Sequence, residues 1–166
     1  TFPHIRFIAE DLGYPAPEVV QLLKDSEFPG MKVLEFAFDS RDPGNYLPHA
    51  YERNCVCYAG THDNDTLKGW FEKITSEDLQ NAIEYLGLND TEGYVWGILR
   101  GGMSSVACLF IAQMQDYLEL DNNARMNVPG EPEGNWQWRM LPNKITPELT
   151  RKIARMTHNY NRTNKN

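Results

Sequence analysis

Acidic side chains that close apolar runs are the residues whose types and spacing suit chemistry. Glu10 ends "IRFIA", Asp39 ends "VLEFAF", and His62-Asp63 come directly after "CVCYAGT". A carboxyl at the end of a buried strand sits in a poorly solvated mouth, which raises its pKa and keeps a proton available near neutrality. Glu10 therefore has the makings of a general acid. The competing reading is a helix-capping or salt-bridged acid, and for an isolated Glu-Asp pair that reading would prevail. His62 reads either as a metal ligand or as a hydrogen-bonding partner of a reactive Asp63. A divalent site wants two or three further convergent ligands, which the spacing does not offer, so the second reading is favoured. Asn64, Asp65 and Thr66 have a local task, capping the helix that follows.

Four apolar runs must position these groups: Ile5 to Glu10, Met31 to Phe38, Cys55 to Gly60 and Ser105 to Gln115. Their β-branched and aromatic content, with Gly and Pro flanking, reads as strands. Between them lie helical patterns: "EVVQLLKDSEF" with Pro17 in its first turn, a segment opening on Thr75 as a capping box, and "EGYVWGILRGGM". A long loop, "NNARMNVPGEPEGNWQWRML", then leads to an amphipathic helix capped by Thr146 with Pro147 in its first position. Strands buried on both faces and alternating with helices predict an α/β fold with a parallel sheet. Functional-looking residues just after the strands match the catalytic end of a (β/α)8 barrel, and four βα units make about half of one. An open doubly wound sheet also places ligands at strand ends, but its Gly-rich phosphate turn is missing.

The bulk properties narrow the partners. A net charge of -7 over 166 residues argues against nucleic acid and anionic membrane surfaces. No apolar run reaches the roughly 18 residues of a membrane span. Cys55, Cys57 and Cys108 are odd in number and lack zinc-site spacing, which points to reduced thiols and a cytoplasmic protein. The first residues carry neither an initiator Met nor a leader, which suggests a chain entered mid-domain. Phe36, Phe38, Tyr46, Tyr51, Trp70, Trp136 and Trp138 cluster near the polar loops. Aromatic faces stack on the C–H-rich faces of sugars while Asn, Asp and His bond hydroxyls, although most of these rings serve a core equally well.

Seven blocks occur in order: "IAEDLG" at 8–13, "FPGMKVLEFAFD" at 28–39, "YLPHAY" at 46–51, "GTHDNDT" at 60–66, "QDYL" at 115–118, "RMNVPG" at 125–130 and "GNWQWR" at 134–139. Together they resemble the C-terminal half of the 4-alpha-glucanotransferases (amylomaltases, or disproportionating enzymes) of the α-amylase-like clan. The resemblance implies a TIM-barrel fragment of about four βα units, spanning residues 1–166 as one partial domain. It also implies retaining transfer of α-1,4-glucan segments between maltooligosaccharides, with no metal or organic cofactor. On it, Glu10 would be the general acid/base and Asp63 the transition-state stabiliser. His62 would bond the sugar and Asp39 would contact substrate. Asn127 and Asn135 are weaker candidates on the substrate side, and bracing of their loop by Asx-type bonds is the alternative.

The family's nucleophile lies in an Arg-x-Asp-His block that these residues do not contain, so the chain by itself is expected to be inactive. Two positions depart from the family pattern: Ala50 stands where Asn is usual, and Glu35 where Gln is common. An α-glucan hydrolase of the same clan and a noncatalytic glucan-binding half-barrel are the alternatives. A half-barrel exposes strand edges and an apolar inner face, which predicts dimerisation, aggregation or a companion segment.

Overall fold

Three of the four apolar runs form strands, and they pair in chain order as a parallel sheet. The computed structural model describes residues 5–13, 16–41 and 46–163. Helix α1 (Pro17–Ser26) precedes strand β1 (Gly30–Val33), which pairs with β2 (Cys55–Tyr58) in the register Gly30 to Cys55. Helices α2 (Leu67–Phe71), α3 (Ser76–Leu86) and α4 (Tyr94–Ser104) then cross over to β3 (Leu109–Ile111), which pairs Val56 with Leu109. The short α5 (Met114–Tyr117) and the long α6 (Pro147–Asn159) complete the order.

Local chemistry sets the element ends. Thr75 Oγ1 accepts from Asp78 N at 3.1 Å and Thr146 Oγ1 from Leu149 N at 3.1 Å, the caps expected of both helices. Pro17 and Pro147 occupy first turns, where no N–H is needed. Helix α4 is almost wholly buried, and its glycines are contact points. A Cβ on Gly102 would lie 2.1 Å from the Phe110 ring, and one on Gly97 2.4 Å from Leu88 Cδ2. Those absences let α4 lie close on β3 and on the end of α3. Val33, Leu34, Cys57, Leu67, Ile98 and Leu99 are wholly buried, so the core lies between the sheet and this helix.

The expected strands are shorter than the apolar runs. Residues 5–10 form no strand, and one backbone bond ties them to the residue that leads into β1, Ala9 N to Pro29 O at 3.0 Å. Two positions further on, the Asp11 carboxylate takes the Met31 N–H at 2.7 Å, replacing the carbonyl that a continued ladder would supply. The second run leaves the sheet at Val33, and Leu34–Phe36 coil into a 3₁₀ turn that buries Leu34 and Glu35. In the fourth run only Leu109–Ile111 forms a strand, with Cys108 N bonding Cys55 O just before it, and further back Arg162 takes the carbonyls of Ser105 and Ala107. After Ile111 the chain turns into α5. The four βα units expected from the sequence are thus three paired strands and one bordering segment.

Candidate active site

Parallel strands direct their C-terminal ends to one side, and a cavity of about 690 Å³ opens there. Its lining draws on all four apolar runs: Ile8 and Glu10, Phe36, Tyr58 and Gly60 to Asn64, and Ile111 to Gln113. Glu10, His62 and Asp63 are therefore brought to one cavity from segments far apart in sequence. Glu10 is exposed on the bordering segment, contrary to the poorly solvated mouth expected of it. One backbone bond holds that segment, and the side chains of Ile5, Phe7 and Ile8 beside it stand about half exposed. Tyr58 lies near Glu10, and its phenol pKa is raised by burial first and by the Glu10 charge second.

The loop carrying His62 and Asp63 is closed by its own side chains. Asn64 Oδ1 accepts from Thr61 N at 2.9 Å and from Thr61 Oγ1 at 2.8 Å, and that hydroxyl accepts from Asp63 N at 3.2 Å. Asn64 thus closes the turn rather than capping the helix. The cap is Thr66, whose Oγ1 accepts from Gly69 N at 3.2 Å. Asp65 is engaged elsewhere too, in ion pairs with Arg125 and with Lys73. Asp63 Oδ2 stands 3.3 Å from His62 Nε2, and the Trp136 ring centre is 4.9 Å from that of His62.

Arg125 is the residue that reading by type did not single out. Its guanidinium pairs with Asp65, donates to Asp63 O at 2.6 Å and donates to Asn127 O at 2.8 Å. It clamps the 61–65 loop to the long loop that follows β3. Its signal was the block "RMNVPG", read there for Asn127 alone. Asn127 Nδ2 in turn donates to Asp63 Oδ1 at 2.5 Å, and its own N–H donates to His62 O at 3.1 Å. Asn135 takes no part in this contact. Its oxygen accepts from Val128 N at 2.8 Å and its amide donates to Glu131 O at 2.8 Å, which braces the loop.

Asp39 stands apart from Glu10 and Asp63. It lines a separate cavity of about 210 Å³ with Phe38, Trp70 and Asp78, and Arg41 bonds it at 2.6 Å. Hydrogen bonds from Arg41 hold its carboxyl down to about 2. Among the described residues no group of three His, Cys, Asp or Glu side chains converges to hold a metal. No helix among them is long and apolar enough to cross a membrane. Of the aromatics, Phe36 lines the larger cavity, whereas Phe38 and Tyr51 are buried core and Trp70 packs against that core.

Comparison with known proteins places this geometry. Residues 2–145 match the family model described as 4-alpha-glucanotransferase. The chain is 51% identical over 159 residues to a 4-alpha-glucanotransferase of Clostridium butyricum, covering 95% of this chain and 33% of that protein. It is 47% identical over 161 residues to one from Synechocystis sp., covering 96% and 32%. The solved structure of amylomaltase from Streptococcus agalactiae in complex with acarbose superposes with a TM-score of 0.91 at 39% identity, over 95% of this chain and 32% of that one. The chain spans about a third of the length of the curated relatives it matches.

Proposed function

The chain belongs to the 4-alpha-glucanotransferase family, and on that premise we propose that it is one part of a longer enzyme that transfers α-1,4-glucan segments between maltooligosaccharides. The observation that carries this reading is the meeting of Glu10, His62 and Asp63 at one cavity on the C-terminal side of a parallel sheet. The sheet is read as a section of a (β/α)8 barrel, about four βα units counting the bordering segment. Its sequential parallel order supports that reading.

In this proposal Glu10 protonates the oxygen of the glycosidic bond as a carboxylate nucleophile attacks the anomeric carbon. The 166 residues contain no Arg-x-Asp-His block, so the nucleophile is assigned to a segment outside them. The first sugar leaves with Glu10's proton. Glu10, now a carboxylate, removes the proton from the 4-hydroxyl of an acceptor sugar, which displaces the enzyme from the anomeric carbon with net retention. Asp63 faces the positive charge that builds on the ring in both transition states. His62 and the exposed Trp136 ring beside it offer a donor and a stacking face to the sugar. No step calls on a metal or an organic cofactor. Asp39 is assigned to substrate at the neighbouring cavity, which requires it to exchange Arg41 for sugar hydroxyls. Asn127 acts through its bond to Asp63, and Asn135 keeps only the part of a loop brace.

The test is maltotriose given to the full-length enzyme. Longer maltooligosaccharides together with glucose or maltose are expected. Glucose and maltose without chain lengthening would make it a hydrolase of the same clan, and binding without turnover a noncatalytic glucan-binding module. The free Cys55, Cys57 and Cys108 fit the cytoplasm, while the relative from Solanum tuberosum bears the name "chloroplastic/amyloplastic".

The isolated 166-residue chain is expected to self-associate or aggregate. Ile5, Phe7, Val19, Leu22 and Phe28 stand 41–67% exposed on and around α1 and the bordering segment, an apolar face that the rest of a barrel would cover. Sedimentation at low micromolar concentration checks this, and a monomer with a cooperative melt would contradict it.

A further inference from the structure

Glu35 is a charged residue type at the centre of the apolar block "VLEFAF", and the fold buries it to 8% exposure under the 60–64 loop. Its contacts explain why the loop needs Gly60. A Cβ there would lie 2.4 Å from Glu35 Oε1 and 3.2 Å from Asn64 Cβ, so the carboxyl is packed against the loop backbone itself. Oε1 is buried without a hydrogen-bond partner. The Asn64 side chain, whose oxygen accepts from Thr61, sits beside Gly60 above Glu35. Thr61 Oγ1 in turn takes the Asp63 N–H at 3.2 Å. Glu35 is therefore packed beneath a turn in which Asn64, Thr61 and Asp63 are bonded to one another. The Glu35 backbone is fixed at the other end, its N–H donating to Ala59 O at 3.3 Å.

We propose that Glu35 is a positioning residue for Asp63, packed beneath the loop against Gly60 and supporting the turn in which Asn64 and Thr61 hold the Asp63 N–H. This rests on the glucanotransferase reading only for the role of Asp63, not for the coupling itself. The surroundings argue for the neutral form. Asp116 on α5 and Asp65 before α2 both oppose a negative charge on Glu35, and Arg125 offsets them in part. Arg125 is already paired with Asp65 and bonded to the Asp63 carbonyl. Asp116 has its own commitments, accepting from Leu67 N at 2.8 Å, and its second oxygen is also buried without a partner. On the outer side Asp39, Arg41, Lys73 and Asp78 line a cavity with Glu35, and Arg41 and Lys73 are paired with Asp39 and Asp65. Burial, then Asp116, then Asp65 push the Glu35 carboxyl up to about 9. Ionising Glu35 would put a second negative charge against Asp116 in a buried site.

Glu35→Gln and Glu35→Ala in the full-length enzyme test this by two independent readings. The first is NMR: in the unsubstituted protein the backbone amides of Thr61, Asp63 and Asn64 are expected to shift with one alkaline midpoint, shared with the Glu35 carboxyl carbon. In E35Q that inflection should vanish. Persistence of the same Asp63 inflection in E35Q overturns the proposal. The second reading is turnover at neutral pH. E35Q should stay within about twofold, because the amide keeps the shape and a neutral head, whereas E35A should lose roughly tenfold or more in kcat through misplacement of Asp63. Wild-type kcat in a folded E35A also overturns it. Should the unsubstituted enzyme fail to disproportionate maltotriose, the functional reading falls, and the amide titration still decides the role of Glu35.

Discussion

Glu10→Gln is expected to lower kcat for maltotriose disproportionation by roughly 10²- to 10⁴-fold in the full-length enzyme, the range for loss of a general acid/base. The loss should depend on the leaving group. A sugar alkoxide leaves only if it is protonated, so the variant's first step stalls on maltotriose. Fluoride leaves without a proton. With α-maltosyl fluoride the first step should therefore recover most of its rate, and a burst of fluoride should precede slow turnover. The slow phase arises because the second step still lacks the base that takes the acceptor's proton. Stopped-flow fluoride release against product chromatography measures both phases. Equal losses on the two donors would mean that Glu10 binds or braces without transferring a proton. The structure makes that a real contest: Glu10 is exposed on a segment tied by one backbone bond, Ala9 N to Pro29 O, to the residue that leads into β1.

The sequence was most legible where one residue type answers one backbone need. Thr75 and Thr146 cap their helices, and Pro17 and Pro147 open theirs, because those tasks are local. The parallel order of the sheet followed from apolar runs alternating with helices. Strand length did not, because a side chain from another segment can end a ladder, as Asp11 does by taking the Met31 N–H. At the site, Glu10, His62 and Asp63 were legible as acids and a His closing apolar runs. Arg125 was not, since its value lies in reaching Asp65 and Asp63 across about sixty residues of chain. Asp39 is placed differently. It follows an apolar run, but the chain coils from Leu34 onward and delivers it to a second cavity. Asn127 and Asn135 divide on the same ground: Asn127 reaches Asp63, while Asn135 closes back on Val128 and Glu131 within its own loop.

Glu35→Gln should also raise stability, by an amount that grows with pH. The Glu35 carboxyl is pushed from 4.5 up to about 9, by burial first and by the neighbouring Asp116 and Asp65 charges next. The folded chain therefore keeps a proton that the unfolded chain releases above about 4.5. Linkage fixes the sign: the stabilisation from this group is complete below the unfolded value and is lost as pH rises toward the folded one, at about 1.4 kcal/mol per pH unit. By pH 7 a loss of order 3 kcal/mol has accumulated. A glutamine has no proton to hold, and its amide suits a position that two carboxylates keep from carrying negative charge. The variant should match the unsubstituted protein near pH 4.5, exceed it by order 3 kcal/mol at pH 7, and gain further toward pH 9. Asp116 is also raised, to about 6, and titrates inside this window. It is present in both proteins, so to first order it drops out of the difference. Urea unfolding at several pH values gives that difference directly. A gap that stays constant from pH 5 to pH 9 would mean that Glu35 is ionised in the folded protein, and the neutral acid beneath the Asp63 loop would have to be given up.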